Sequence, residues 1–318
     1  MLKKKLTTIA LAMIGVFGLV GCSNTKETPK EKAQQKVTLV LTEGGVNDGS
    51  FNQSAWEGAM EIAPSLDVEV SYLECKQKSD YATNIETAVD MDSDLIIGVG
   101  YEMSEQIKAA AEAYPEQNFA IVDGSYEETP ANLKSILFDE EGAGYAVGLI
   151  AAKKTQTNKL GFIGGMDIPS VSNFAKGFER GLKEVDPKNE LTVQYANSFT
   201  DAAKGRAMAQ QMINSNIDVI FCAGGGVNNG VIEASKELGT KVIGVDMPMS
   251  YIEPDTIITS AVKNVGTGVG LTIKDLVDGK FVGGIAEKYN LANNGVGYED
   301  TKHLTNEVKE FVNKKISK

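Results

Sequence analysis

The chain has 318 residues, 42% hydrophobic and 23% charged, which leaves room for two α/β lobes of ordinary size after any leader. A net charge of −12 argues against nucleic acid and polyanionic ligands as partners and favours a neutral or cationic small molecule. With one histidine, His303, and three cysteines, there is nothing from which to build a His-based triad, a His-rich metal site or a disulfide framework.

Residues 1–21 read as a leader: Lys3, Lys4 and Lys5 precede an apolar run over 6–20. Leu19-Val20-Gly21-Cys22 then matches a lipobox, at which cleavage exposes Cys22 for lipidation; a non-lipidated signal or a single anchor helix is the alternative. The Lys/Glu/Gln-rich, aromatic-free segment 22–36 reads as a lipidated flexible tether.

From residue 37 onward, short apolar runs alternate with amphipathic patterns. Strands are predicted at 37–41, 68–73, 95–99, 119–122, 135–138, 160–163, 192–195, 219–222, 242–245 and 257–262, and helices between most of them, as at 81–91, 104–113 and 142–153. Such alternation means parallel sheets covered on both faces, and ten strands suggest two sheets: two Rossmann-like α/β lobes around a cleft. Cys75 and Cys222 each lie in or end an apolar run and read as buried small residues. His303 sits in a polar C-terminal helix pattern.

Between the first strand and first helix lies Gly44-Gly45-Val46-Asn47-Asp48-Gly49-Ser50-Phe51-Asn52, in which Ser50 and Gln53 fit a capping box. A strand, a glycine turn and a capped helix place side chains at the carboxyl edge of a sheet, where ligands sit. Phe51 offers a ring to stack on a flat heterocycle and Asn52 an amide for its edge; alternatively Phe51 is a core ring and Asn52 a helix-start residue. Asp123 and Asp246 each follow an apolar strand directly, as helix caps or as acceptors for ligand hydroxyl and N–H groups. Their matching positions, together with Phe51 and Asn52, favour a ligand crevice. Glycines at 164–165 and 224–226 let backbone amides approach a ligand.

The stretch 44–58 resembles the basic membrane protein family of ABC-transporter substrate-binding lipoproteins, which includes the purine nucleoside receptors. That family typically reads Thr-Asp-x-Gly-Gly-x-x-Asp-x-Ser-Phe-Asn-Gln-x-x-Trp-Glu-Gly there. This chain departs before Gly44, being one residue shorter with Glu43 in place of an aspartate. Further family-like segments are 94–100, 161–166, 177–181, 198–201 and 243–246, so the resemblance spans 36–318.

The resemblance implies a type I periplasmic-binding-protein fold whose chain crosses three times between lobes. The first lobe is expected at 37–139 plus 258–281 and the second at 140–257 plus 282–318, with crossings near Glu140, Ile257 and Val282. By the same resemblance Phe51 and Phe199 sandwich a base whose edge is held by Asn52 and Asp123, with Asp48 close by. Asp246, Gly225 and Lys263 hold the ribose, Lys263 donating to a hydroxyl while neutralising Asp246. From the residues alone, Lys263 could equally be a surface lysine at a helix start, and Phe199 a core ring. Glu43 and the apolar Met247-Pro248-Met249 depart from the family and bear on which base is preferred.

The expectation is a monomeric, non-enzymatic receptor without cofactor or metal, lipid-anchored on the extracytoplasmic face of a bacterial membrane. It would capture a nucleoside, purine first, and deliver it to an ABC permease and its ATPase. A receptor for ribose or galactose on the same fold is the alternative. A dinucleotide enzyme is disfavoured because neither 224–230 nor 266–270 spells the full fingerprint; the second lies inside a helix pattern, where small residues permit close packing at a hinge. A metal-dependent nucleoside hydrolase would need an aspartate cluster that Asp48 does not supply. A purely adhesive surface lipoprotein would bind no small molecule.

Overall fold

The computed structural model describes residues 34–317; the leader, Cys22 and almost all of the expected tether lie outside them. The tether ends earlier than its composition suggests, since Gln35 and Lys36 already pair with Val68 and Glu69.

The chain runs β1 (Gln35–Leu41), α1 (Phe51–Leu66), β2 (Val68–Glu74), α2 (Asp80–Asp90), β3 (Leu95–Val99), α3 (Ser104–Ala113), β4 (Asn118–Val122) and β5 (Leu133–Phe138). It continues with α4 (Glu140–Ala152), β6 (Lys159–Gly164), α5 (Pro169–Val185), β7 (Glu190–Tyr195), α6 (Ala202–Asn214), β8 (Val219–Ala223), α7 (Val227–Leu238) and β9 (Lys241–Asp246). The last part holds β10 (Ile257–Lys263), α8 (Val265–Val277), β11 (Ile285–Tyr289), β12 (Val296–Tyr298) and α9 (Asn306–Ile316). Every strand read from an apolar run is present, each end within two residues of expectation.

The strands form two six-stranded sheets, ordered β11-β5-β4-β3-β1-β2 and β12-β10-β9-β8-β6-β7. Pairing is parallel throughout except between β10 and β12. Helices cover both faces, so β3 and β8 are buried at every position and read as unbroken apolar runs. The edge strands β2 and β7 keep exposed positions.

Two segments lie on the opposite sheet from the one expected. β10 extends the second sheet beside β9, although 258 onward was assigned to the first lobe. β11 joins the first sheet beside β5, although 282 onward was assigned to the second. The crossings therefore fall at Asp139, at Asn264 and in the 290–295 turn; a strand finishes its own sheet before the chain changes lobe. They are laced together where Asp139 N–H donates to Tyr289 O at 2.8 Å and Asn264 N–H to Gly295 O at 2.9 Å.

The helices exchange in the same way. α4, which follows β5, packs on α5 and β10 of the second lobe, and α8, which follows β10, packs on α1 of the first. Gly58 and Gly266 make the α1–α8 contact possible, since a Cβ on Gly58 would lie 2.2 Å from Gly266 Cα. The small residues of 266–270 thus serve helix packing inside one lobe, not a hinge. Cys75 and Cys222 are buried free thiols, as their apolar surroundings indicated. His303 sits in a turn ahead of α9, with Nε2 2.8 Å from Pro254 O.

Candidate functional site

The carboxyl ends of β1, β3 and β4 face those of β8, β9 and β10 across a cleft enclosing about 660 Å³ of free space, mouth included. Asp48, Phe51, Asn52, Asp123, Phe199, Gly225, Asp246 and Lys263 all line it. Phe51 comes from the start of α1 in the first lobe, and Phe199 from the loop after β7 in the second. Gly225 has a left-handed φ of +58°, and a Cβ there would approach Phe199 O to 3.0 Å, so a side chain would be both strained and crowded.

Local bonding changes the reading of two residues. Asp48 caps α1: its Oδ1 accepts from Ser50 and Gln53 N–H at 2.9 and 3.1 Å, and its Oδ2 from Asn52 N–H at 2.9 Å. The expected capping box is absent, because Ser50 makes no cap bond and Gln53 Oε1 instead accepts from Gly49 N–H at 3.1 Å. Asn52 is 1% exposed and its amide is engaged with Thr42, accepting the hydroxyl at 3.1 Å and donating to the carbonyl at 3.2 Å. One amide N–H and one carbonyl lone pair remain for a ligand.

Lys263 is no surface lysine; it is 2% exposed. Its Nζ lies 2.6 Å from Asp123 Oδ2 and 3.0 Å from Glu140 Oε1, and 5.2 Å from the ring centres of both Phe51 and Phe138. The expected direct pairing with Asp246 is replaced by this pairing with Asp123 and Glu140. Asp246 instead accepts the Ser50 hydroxyl on Oδ2 at 2.5 Å, a bond between the lobes. Asp123 Oδ1 is buried without a hydrogen bond of good geometry, facing the Ser170 hydroxyl of the opposite lobe.

The electrostatics follow from burial. Loss of solvent raises the carboxyls of Asp48, Asp123 and Glu140, with Lys263 pulling the last two back. Burial lifts Asp246 to about 6 against the opposing pull of Lys263 and Ser50. Burial alone would lower Lys263, but Asp123, Glu140 and Asp246 hold it above the ordinary lysine range. One ammonium thus faces several carboxyl groups, and the cleft suits an uncharged molecule rich in hydrogen-bond donors. No group of three or more His, Cys, Asp or Glu among the described residues is placed to hold a metal ion.

Ser50, Glu140, Ser170 and Phe174 were not read as site residues from the sequence. Ser50 and Glu140 carry the ordinary signals of a helix start, and Phe174 fits the apolar stripe of α5. Only the tertiary pairing brings Ser170 and Phe174 into the cleft, Ser50 against Asp246 and Glu140 against Lys263.

Two α/β lobes joined by three crossings around a largely apolar, aromatic-lined cleft that holds a few buried charged groups define a solute-binding protein of the type I periplasmic class. Residues 35–318 match the family model described as ABC transporter substrate-binding protein PnrA-like, and the chain belongs to that family. It is 35% identical to the ABC transporter nucleoside-binding protein BmpA of Lactococcus lactis, over 99% of this chain and 96% of that protein. It is likewise 35% identical to basic membrane protein A of Borreliella burgdorferi, over 88% of this chain and 86% of the relative. A solved solute-binding protein of an ABC transporter system from Aeropyrum pernix superposes with a TM-score of 0.78 at 30% identity, covering 88% of this chain and 86% of its own. No helix among the described residues is long and apolar enough to cross a membrane.

Proposed function

We propose that this substrate-binding protein captures a nucleoside, purine first, between its lobes and hands it to an ABC permease with its ATPase. The observation that carries this reading is that Phe51 and Phe199, from opposite lobes, line one cleft together with Asn52, Asp123, Asp246, Gly225 and Lys263. Two half-buried rings suit the faces of a heterocyclic base, worth about 1–3 kcal/mol each. The Asn52 amide and the unpaired Asp123 oxygen suit a base edge, and Asp246 suits ribose hydroxyls. Asp48 contributes by holding the helix start in place and not by touching the ligand. The protein acts as a monomer held at the extracytoplasmic face by lipid on Cys22, and closure of the lobes presents the loaded form to the permease.

The test is calorimetric titration of residues 23–318 with guanosine, inosine, adenosine, cytidine, uridine, ribose and galactose. Tight one-to-one binding of purine nucleosides, weakened about ten- to hundredfold by Phe51→Ala or Phe199→Ala, supports the reading. Binding of ribose or galactose without nucleosides would replace it with a sugar receptor. Labelling with palmitate that is lost in Cys22→Ala tests the anchor.

A further inference from the structure

Ser50 begins α1, yet its side chain does nothing for that helix. Asp48 supplies the cap, taking the first backbone amides. The Ser50 hydroxyl instead reaches the opposite lobe, 1% exposed, and donates to Asp246 Oδ2 at 2.5 Å. That is the only hydrogen bond made by the Asp246 carboxyl among the described residues. The placement of the bond also matters. Lys263, which reaches Asp123 from the other sheet, adjoins the crossing at Asn264. β1, which leads into Ser50, is separated from the crossing strand β5 by β4 and β3, so the Ser50–Asp246 bond bridges the lobes far from a crossing on the first-lobe side.

We propose that Ser50 is a positioning residue that latches the lobes: in the closed form it occupies one oxygen of Asp246 and turns the other toward the ligand. The proposal rests on the reading of the cleft as a ligand site between moving lobes. A serine hydroxyl has a single proton. With that proton committed to Asp246 Oδ2, Asp246 offers the cleft mainly Oδ1. The latch has no counterpart in the open form, where both groups are hydrated. It therefore favours closure with or without ligand, and its main effect on binding is slower ligand escape.

The experiment compares residues 23–318 with the Ser50→Ala and Ser50→Thr variants. Small-angle scattering is recorded without ligand, and guanosine binding is followed by calorimetry and by dissociation kinetics. Ser50→Ala is expected to enlarge the ligand-free radius of gyration and to weaken guanosine about tenfold, nearly all of it in faster dissociation, as fits a buried hydrogen bond to a charged group. Ser50→Thr, which keeps the hydroxyl, is expected to restore both. Ser50→Ala should melt lower by about 2–4 °C at most, the cost of one lost hydrogen bond, because Ser50 caps nothing. Unchanged scattering and dissociation in Ser50→Ala, or losses that only track a lower melting temperature, would overturn the latch. Should the wild type bind no nucleoside, the proposed ligand fails, while the ligand-free scattering still decides whether Ser50 holds the lobes.

Discussion

Asp123 and Asp246 occupy equivalent places in the two lobes and share the same unusual backbone. Each terminates or directly follows the strand between a crossing strand and the middle of its sheet, and each has positive φ, 67° and 64°. Left-handed geometry is ordinary for aspartate, asparagine and glycine but strained for other residues. It swings each carboxyl out of the strand line into the cleft.

The choice of substitution therefore matters. Asp246→Asn should fold with little change in melting temperature and lose at least tenfold in nucleoside affinity. Asp246→Ala should lose the same affinity and about 1 kcal/mol of stability besides. Urea unfolding alongside calorimetry separates the two effects. Equal stability of the two variants would remove the role given to the backbone.

The raised carboxyl of Asp246 has a consequence for pH. Its folded value of about 6 stands above the ordinary 3.8 because burial outweighs Lys263 and Ser50. The folded state thus holds this proton more tightly than the unfolded state. The resulting stability is fully present below 3.8 and disappears as pH rises through about 6. Urea unfolding from pH 4 to 7 should show Asp246→Asn free of a decline of about 2 kcal/mol that the wild type carries. Ligand affinity should run the other way, rising toward pH 7, since hydroxyl donors need the ionised carboxyl.

Removing the ammonium should be severe. Lys263→Met leaves Asp123 and Glu140 facing each other without their shared partner. Breaking a buried ion pair on one side typically costs about 3–5 kcal/mol. The deficit should be smaller at pH 5 than at pH 8, because the stranded carboxyls can then take up protons. A deficit independent of pH would mean that lost packing, not charge, is responsible.

Helix packing gives a test away from the cleft. Gly58→Ala places a methyl 2.2 Å from Gly266 Cα and 2.3 Å from its carbonyl oxygen, both backbone atoms that no side-chain rotation can clear. α1 must shift from α8, at about 1–3 kcal/mol in thermal or urea unfolding. Since α1 carries Ser50 and Phe51, nucleoside affinity should fall as well.

Much of the architecture was legible because parallel strands buried on both faces leave unbroken apolar runs. β11 and β12 leave no such run: β11 is a largely exposed edge of sequence Ile-Ala-Glu-Lys-Tyr, and β12 has three residues. The sheet that β10 joins is fixed by its neighbour, and nothing within its own residues encodes that choice. At the cleft, strand-end Asp123 and Asp246 and the Phe51 turn stood out because they interrupt regular patterns. Ser50 and Glu140 did not, since an acid or a serine at a helix start looks the same whether it serves that helix or a partner far along the chain.

The threading of the chain between lobes also governs the order in which the molecule can assemble. β5 sits at an open edge until β11 arrives, and β11 begins at residue 285 of 318. β10, in turn, must join the second sheet before α8 can return to cover α1. Neither lobe is therefore a continuous piece of polypeptide that can be excised, and neither can complete itself while the chain is still emerging. Truncation ahead of Ile285 would leave an unpaired β5 edge available to other chains, so aggregation, and not merely a weakened receptor, is its consequence.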